Sequence, residues 1–169
     1  MGSDSAYIFS YPIFCNIESR LLLLWLPAFL FGAFTMKQIK ERIAASVEKT
    51  VEEQDLACVH GSGSLRVYAT PAMAALMERT ACVLLEPYME EGETTVGISL
   101  EIKHLKASLC GMKLTSTATL VEVDGRKTVF EIEVRDALSV VGTARHERFA
   151  VMAEAFMQKA EDNKIKCAR

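Results

Sequence analysis

An α+β domain, in which a curved antiparallel sheet wraps around one long buried helix, is predicted by three features of this sequence. The stretch from Pro71 to about Tyr88 is helical in character and apolar around nearly its whole circumference. The runs after it alternate apolar and polar residues, the pattern of strands with one buried face. Two of those runs are joined by Asp124-Gly125, a dipeptide that favours a tight hairpin turn. A helix without a polar face needs cover on most sides, and a sheet curving around it supplies that cover.

The elements follow in order. Ile43 to Val51 reads as a first strand, with Val47 and Val51 on one side and charges between them. Glu52 to Ser64 ends in His60-Gly61-Ser62-Gly63-Ser64, whose glycines and serines mark a loop or lid. Thr70-Pro71 starts the helix, with Thr70 suited to cap the free N–H groups and Pro71 to the first helical position. Val96, Ile98, Leu100, Ile102 and His104 share one strand phase, which carries the histidine onto the core-facing side. Lys113 to Val123 and Lys127 to Arg135 are two more strands, and Ser139 to Val151 is the last, before a polar helix over Glu154 to Lys166. One strand, one buried helix and four mostly antiparallel strands make the hot-dog architecture. Such a sheet leaves an edge strand and a helix flank uncovered, so a homodimer is expected, with pairing into tetramers left open.

Composition narrows the partners. At 169 residues, half of them apolar, the chain suits one domain with a sizeable core. The net charge is −3 and no dense Lys/Arg run is present, which argues against a nucleic-acid partner. Cys15, Cys58, Cys82, Cys110 and Cys167 are scattered without a CxxC pair, so they read as reduced thiols of a cytoplasmic protein and call for no metal. Cys82, inside the apolar helix, reads as a packed core thiol. Residues 1–36 form an apolar extension in which Leu21 to Phe34 is short for a membrane span and is broken by Pro27 and Gly32. A true start near Met36, a membrane-associated or cleaved leader, and a packed extension all remain open; membrane contact is expected only if residues 21–34 are retained. Residues 37–156 form the domain and 157–169 a polar tail.

Within the domain, Glu78 stands out, because a carboxylate on so apolar a helix needs a reason. From about Ile43 to Phe156 the chain resembles the fluoroacetyl-CoA thioesterase-like family of hot-dog proteins. The likeness is carried by Tyr68-Ala69-Thr70, Leu76-Met77-Glu78, Ala81-Cys82-Val83, Pro87-Tyr88, Gly97, His104, Gly111, Val123-Asp124-Gly125-Arg126 and the run Gly142-Thr143-Ala144-Arg145-His146-Glu147-Arg148. The resemblance implies hydrolysis of a small acyl-CoA thioester, with Thr70, Glu78 and His104 as the catalytic set, placed at the dimer interface, and Gly97 and Arg148 near the substrate. No cofactor is implied beyond the coenzyme A of the substrate.

These residue types suit that chemistry. Glu78, desolvated by its neighbours, would have a raised pKa and act as general base or nucleophile. His104 would activate water, or stabilise charge and protonate the leaving thiolate. Thr70 would orient the carboxylate, Gly97 would let the thioester approach the strand, and Arg148 would hold a pantetheine amide or carboxylate at the mouth. Each residue also has a plain structural reading: Glu78 paired with a core arginine, His104 bonded at a strand end, Thr70 a cap, Gly97 a bulge glycine, Arg148 the surface partner of Glu147. Their joint occurrence favours catalysis, and His146 is given no role. Family members that select fluoroacetyl groups close the acyl pocket with bulky apolar residues, where this chain has Gly61-Ser62-Gly63-Ser64. An unfluorinated short or branched acyl group is therefore expected. Two rivals stand beside this reading: a hot-dog enoyl-CoA hydratase using Asp55 and His60 at the D-x4-H spacing, and an acyl-CoA-binding module without turnover.

Overall fold

The computed structural model describes Ile39 and residues 42–168, so the expectations for residues 1–36 lie outside the described residues. Strand β1 (Ala44–Thr50) leads through a 3-10 turn (Glu53–Asp55) and one helical turn, α1 (Ala57–His60), to the central helix α2 (Thr70–Leu85). A 3-10 turn, Glu86–Tyr88, extends α2 before β2 (Glu93–His104), β3 (Lys113–Asp124), β4 (Lys127–Arg135), β5 (Val140–Met152) and α3 (Ala153–Cys167). The five strands form one antiparallel sheet in the order β1-β3-β4-β5-β2, with α2 against its inner face, closest to β1 and β3. This is the hot-dog fold expected from the order of elements.

Local sequence accounts for most boundaries. Gly61 closes α1 in the left-handed conformation, at φ 69°. Asp124 pairs with Lys127, so the hairpin residues are Gly125 and Arg126, one step later than the Asp-Gly dipeptide suggested, and Gly125 takes the positive φ. The lid region is more ordered than a plain loop: Leu56 bridges to Tyr68, and the Tyr68 N–H donates to the Ser108 carbonyl.

The core lies between α2 and the sheet, where Met73, Met77 and Leu85 meet Leu114, Phe130 and Val141. One polar pair is sealed within it. The Thr80 hydroxyl donates back to the Leu76 carbonyl at 2.8 Å and lies 2.8 Å from the Ser116 hydroxyl of β3, both side chains being fully buried. A hydroxyl has one proton, so Ser116 donates the second bond, tying helix to sheet.

Cover around α2 is less complete than the sequence suggested. Pro71, Ala75, Arg79, Cys82 and Val83 are exposed along one flank. Cys82 is thus a surface thiol rather than a core one, because the sheet covers only the side bearing Met73, Leu76, Met77 and Leu84. The helix α3 buries none of its residues, as its polar sequence leads one to expect. Among the described residues no helix is long and apolar enough to cross a membrane.

Replacing Thr80 by Val leaves the Ser116 hydroxyl buried without a partner, which costs about 1–3 kcal/mol. The double variant Thr80→Val, Ser116→Ala should be less destabilised than the sum of the single ones. Urea unfolding of the four proteins measures this, and additive losses would contradict the pairing.

Candidate active site

The residues singled out in the sequence gather into two groups at opposite ends of β2. At its C-terminal end, the Thr70 hydroxyl lies 2.9 Å from Nδ1 of His104. Thr70 is not the helix cap: Ala69 holds the cap position, the helix starts without a side-chain cap, and the Thr70 hydroxyl is free for the imidazole. Several contacts fix this turn. The Ala69 N–H donates to the Asp55 carbonyl at 2.8 Å, and the buried Tyr68 hydroxyl donates to the Ala72 carbonyl at 3.0 Å. Burial pushes the Tyr68 phenol pKa up, so it stays protonated. Gly142 faces His104 across β5, and any Cβ there would run into the Met73 sulfur, so the glycine lets α2 approach beside the histidine. The far nitrogen of His104, Nε2, is buried and bonds to no described group. Thr70 and His104 border a cavity of about 360 Å³ roofed by Ser62, Gly63, Ser64 and Leu65.

The second group surrounds Glu78. Its Oε1 lies 3.8 Å from Nη1 of Arg148, whose own side chain is 6% exposed. Arg148 faces Gly97 in the β2–β5 register, and a Cβ on Gly97 would come within 2.5 Å of Glu78 Oε1. That glycine therefore makes room for the carboxylate itself. The guanidinium is held on three sides: Nε donates to Thr95 Oγ1 at 2.9 Å, Nη2 to the Thr95 carbonyl at 2.8 Å, and Nη1 to Nε2 of His146 at 3.1 Å. Arg148 is thus neither at the mouth nor paired with Glu147; it is the core arginine that partners Glu78. His146, fully buried, donates from Nδ1 to the Ser99 carbonyl at 2.7 Å, beside the bulge that interrupts the ladder between Gly97 and Ser99. Burial, and after it the Arg148 charge, lowers the His146 pKa below the ordinary 6.5. The neutral imidazole therefore persists in the folded chain where a free one protonates. The stability this represents is whole above pH 6.5 and declines as the pH falls towards the folded-state value.

One expectation needs correction. Glu78 is not sequestered within one protomer, since its side chain keeps 45% of its exposure on the uncovered side of α2. Nor do Glu78 and His104 meet within one protomer. Thr70 and Glu78 stand eight residues apart on α2, about 12 Å along its axis. Gly97 and His104 stand seven apart on β2, roughly 23 Å at the strand rise. Thr70 reaches the histidine, and not the carboxylate it was expected to orient.

The hydratase pair fares differently. Asp55 Oδ2 accepts the Glu52 N–H at 2.8 Å and pairs with Lys49 Nζ at 2.8 Å, which commits it to closing the 3-10 turn. That partner raises the Lys49 pKa, and His60 is exposed at the end of α1. A larger hollow of about 580 Å³, bordered by Glu101, Lys103, Thr143 and Arg145, involves none of these residues and lies on the sheet face away from α2. Among the described residues no cluster could hold a metal ion. Sequence reasoning left out His146 and Thr95. For His146 a signal was present, because it shares the inward phase of Ala144 and Arg148.

Comparison with known proteins agrees with this fold. Residues 51–154 match the family model described as FlK, fluoroacetyl-CoA-specific thioesterase. The fluoroacetyl-CoA thioesterase of Streptantibioticus cattleyicolor is 33% identical over 93 residues, 55% of this chain and 67% of that protein. A solved structure of the fluoroacetyl-CoA thioesterase FlK superposes with a TM-score of 0.68 at 26% identity, covering 75% of this chain and 96% of the other. A thioesterase-superfamily member from Thermus thermophilus gives 0.71 at 26% identity, over 78% and 99% of the two chains. A hot-dog-like protein from Thermanaerovibrio acidaminovorans, 22% identical with a TM-score of 0.67 over 72% and 90%, shares the fold. The chain belongs to the fluoroacetyl-CoA-specific thioesterase family, acyl-CoA thioesterases built on the hot-dog fold.

Proposed function

We propose that the protein hydrolyses a short or branched acyl-CoA to the free acid and CoA, at sites shared by two protomers in which Glu78 of one faces Thr70 and His104 of the other. The observation that carries this reading is the buried, unpartnered Nε2 of an imidazole already tied to Thr70. Leaving such a nitrogen unsatisfied costs about 1–3 kcal/mol, and the oxygen or sulfur of a thioester in the adjoining cavity would satisfy it.

Dimer geometry supports the pairing of the two groups. β2 is an edge strand with open hydrogen-bonding groups and with Ile98 53% exposed. A two-fold axis crossing it between Leu100 and Glu101 would set Gly97 opposite the partner's His104. Each Glu78 would then stand near the partner's Thr70–His104 pair, and the second subunit would cover the exposed side of the carboxylate.

In that site Glu78 takes a proton from water as the water oxygen bonds to the thioester carbonyl carbon. The tetrahedral oxyanion collapses, the C–S bond breaks, and the departing thiolate takes up the proton that Glu78 removed from water, while the Nε2 proton of His104 donates a hydrogen bond to the oxyanion or the sulfur. Donation from Thr70 to Nδ1 keeps that proton on Nε2, the tautomer the step requires. The Arg148 charge holds Glu78 in place as the base. The cavity of about 360 Å³ lies near the small end of ligand pockets, which suits a short acyl group.

Glu78→Gln should lower kcat for CoA release from acetyl- or propionyl-CoA by about 10²–10⁴-fold while binding persists. A variant that hydrolyses like the parent would remove Glu78 from the chemistry. Bound acyl-CoA with no thiol released by the parent would instead favour a binding module.

Co-expressing Glu78→Gln with His104→Ala tests the shared site. Mixed dimers would carry one intact site of two, so a statistical mixture should recover about one quarter of parental activity. No recovery, with mixed dimers demonstrated by mass spectrometry, would rule out catalysis across the seam.

Across a panel of acyl-CoAs, kcat/KM for fluoroacetyl-CoA should exceed that for acetyl-CoA by less than about tenfold, because the Gly61–Ser64 lid supplies little apolar surface for discrimination. A preference above about 10³-fold would overturn the substrate class proposed here.

A further inference from the structure

We propose that His146 is a positioning residue for the hydrolysis: its neutral imidazole, anchored by donation from Nδ1 to the Ser99 carbonyl, accepts a hydrogen bond from Arg148 Nη1 and so fixes the guanidinium that holds Glu78. The proposal rests on the reading of Glu78 as the base.

The geometry leaves the imidazole little choice. Its Nδ1 lies 2.7 Å from a carbonyl oxygen, which can only accept, so this nitrogen carries the hydrogen. Its Nε2 lies 3.1 Å from an Arg148 nitrogen, which can only donate, so Nε2 offers its lone pair. The same Nη1 lies 3.8 Å from Glu78 Oε1. Arg148 is thereby held between a neutral acceptor on its own strand and a carboxylate on α2. The two threonine contacts, from Nε and Nη2 to Thr95, hold the rest of the group and leave Nη1 to be aimed by the histidine.

The surroundings keep the ring neutral. It faces the Arg148 cation on β5, the Glu78 carboxylate on α2, the Ser99 carbonyl on β2 and the Phe130 ring on β4, whose centroid lies 6.1 Å away. A protonated ring would set a second cation and a donor against the Arg148 donor. The bond would break and the guanidinium would be free to swing from the carboxylate. Gly97 completes the arrangement, since a Cβ there would come within 3.2 Å of His146 Cε1.

The test compares His146→Gln with His146→Asn. A Gln amide can reach the acceptor position facing Arg148, whereas the shorter Asn reaches only the Ser99 carbonyl. With propionyl-CoA as substrate, His146→Gln should keep kcat within about threefold of the parent, and His146→Asn should lower it about 10–100-fold with KM little changed. In an Arg148→Met background the Asn substitution should cost less than about threefold further, because the group it positions is gone. Equal kcat for the Gln and Asn variants, or an undiminished Asn effect without Arg148, would overturn the proposal. The parent itself supplies a check that needs no variant: the His146 Cε1 proton should show no titration step near pH 6.5 by NMR, and a step there would also overturn it. If Glu78→Gln keeps parental activity, the base assignment fails; if it loses activity while His146→Asn does not, only the positioning role fails.

Discussion

A guanidinium buried under a helix must have its charge answered and its donors occupied, and that requirement at Arg148 organises one whole end of this molecule. Thr95 supplies two acceptors from β2, His146 a third from β5, and Glu78 the counter-charge from α2. Each of these partners then acquires needs of its own. His146 must be neutral and must find an acceptor for its other nitrogen, which the Ser99 carbonyl beside the β2 bulge provides. Glu78 must come close to the strand, which only a residue without a side chain at position 97 allows. Four residues that look unrelated along the chain are therefore consequences of burying one cation.

The other end of β2 obeys a different constraint. There, His104 sits at the strand terminus and is steadied by Thr70 from the first turn of α2, while the lid folds back onto that turn through Leu56, Tyr68 and Asp55. A helix rises about 1.5 Å per residue and a strand about 3.3 Å, so residues eight apart on one and seven apart on the other cannot converge in a single chain. In the dimer proposed above, the charged group and the imidazole group would be two half-sites. The edge position of β2, the exposed flank of α2 and the half-open carboxylate are what the proposed second copy would cover.

Much of this was legible before any coordinates. The alternation from Leu100 to His104 placed the histidine on the inner face, although the bulge after Gly97 reverses the phase before it and turns Val96 and Ile98 outward, against the single phase expected. The apolar character of α2 called for a wrapping sheet, and Lys127–Arg135 was bounded as it stands in the structure. Misreadings occurred where a residue's neighbours come from another element. Thr70-Pro71 has the chemistry of a cap, yet Thr70 falls one position inside the helix and its hydroxyl turns to a strand 34 residues away. Cys82 has apolar neighbours in sequence and faces outwards in space, because the sheet covers only part of the helix circumference.

By itself, then, the sequence determined the order and kind of the elements and the inward phase of the strands away from the β2 bulge, because these follow from periodicity and local spacing, while the motifs along it carried the resemblance to its family. Only the tertiary structure decided that Arg148 answers Glu78, that His146 joins them, and that Thr70 and His104 form a separate pair. Which side chain meets which depends on strand register and on the helix's position over the sheet, both products of long-range packing that no short stretch of chain encodes.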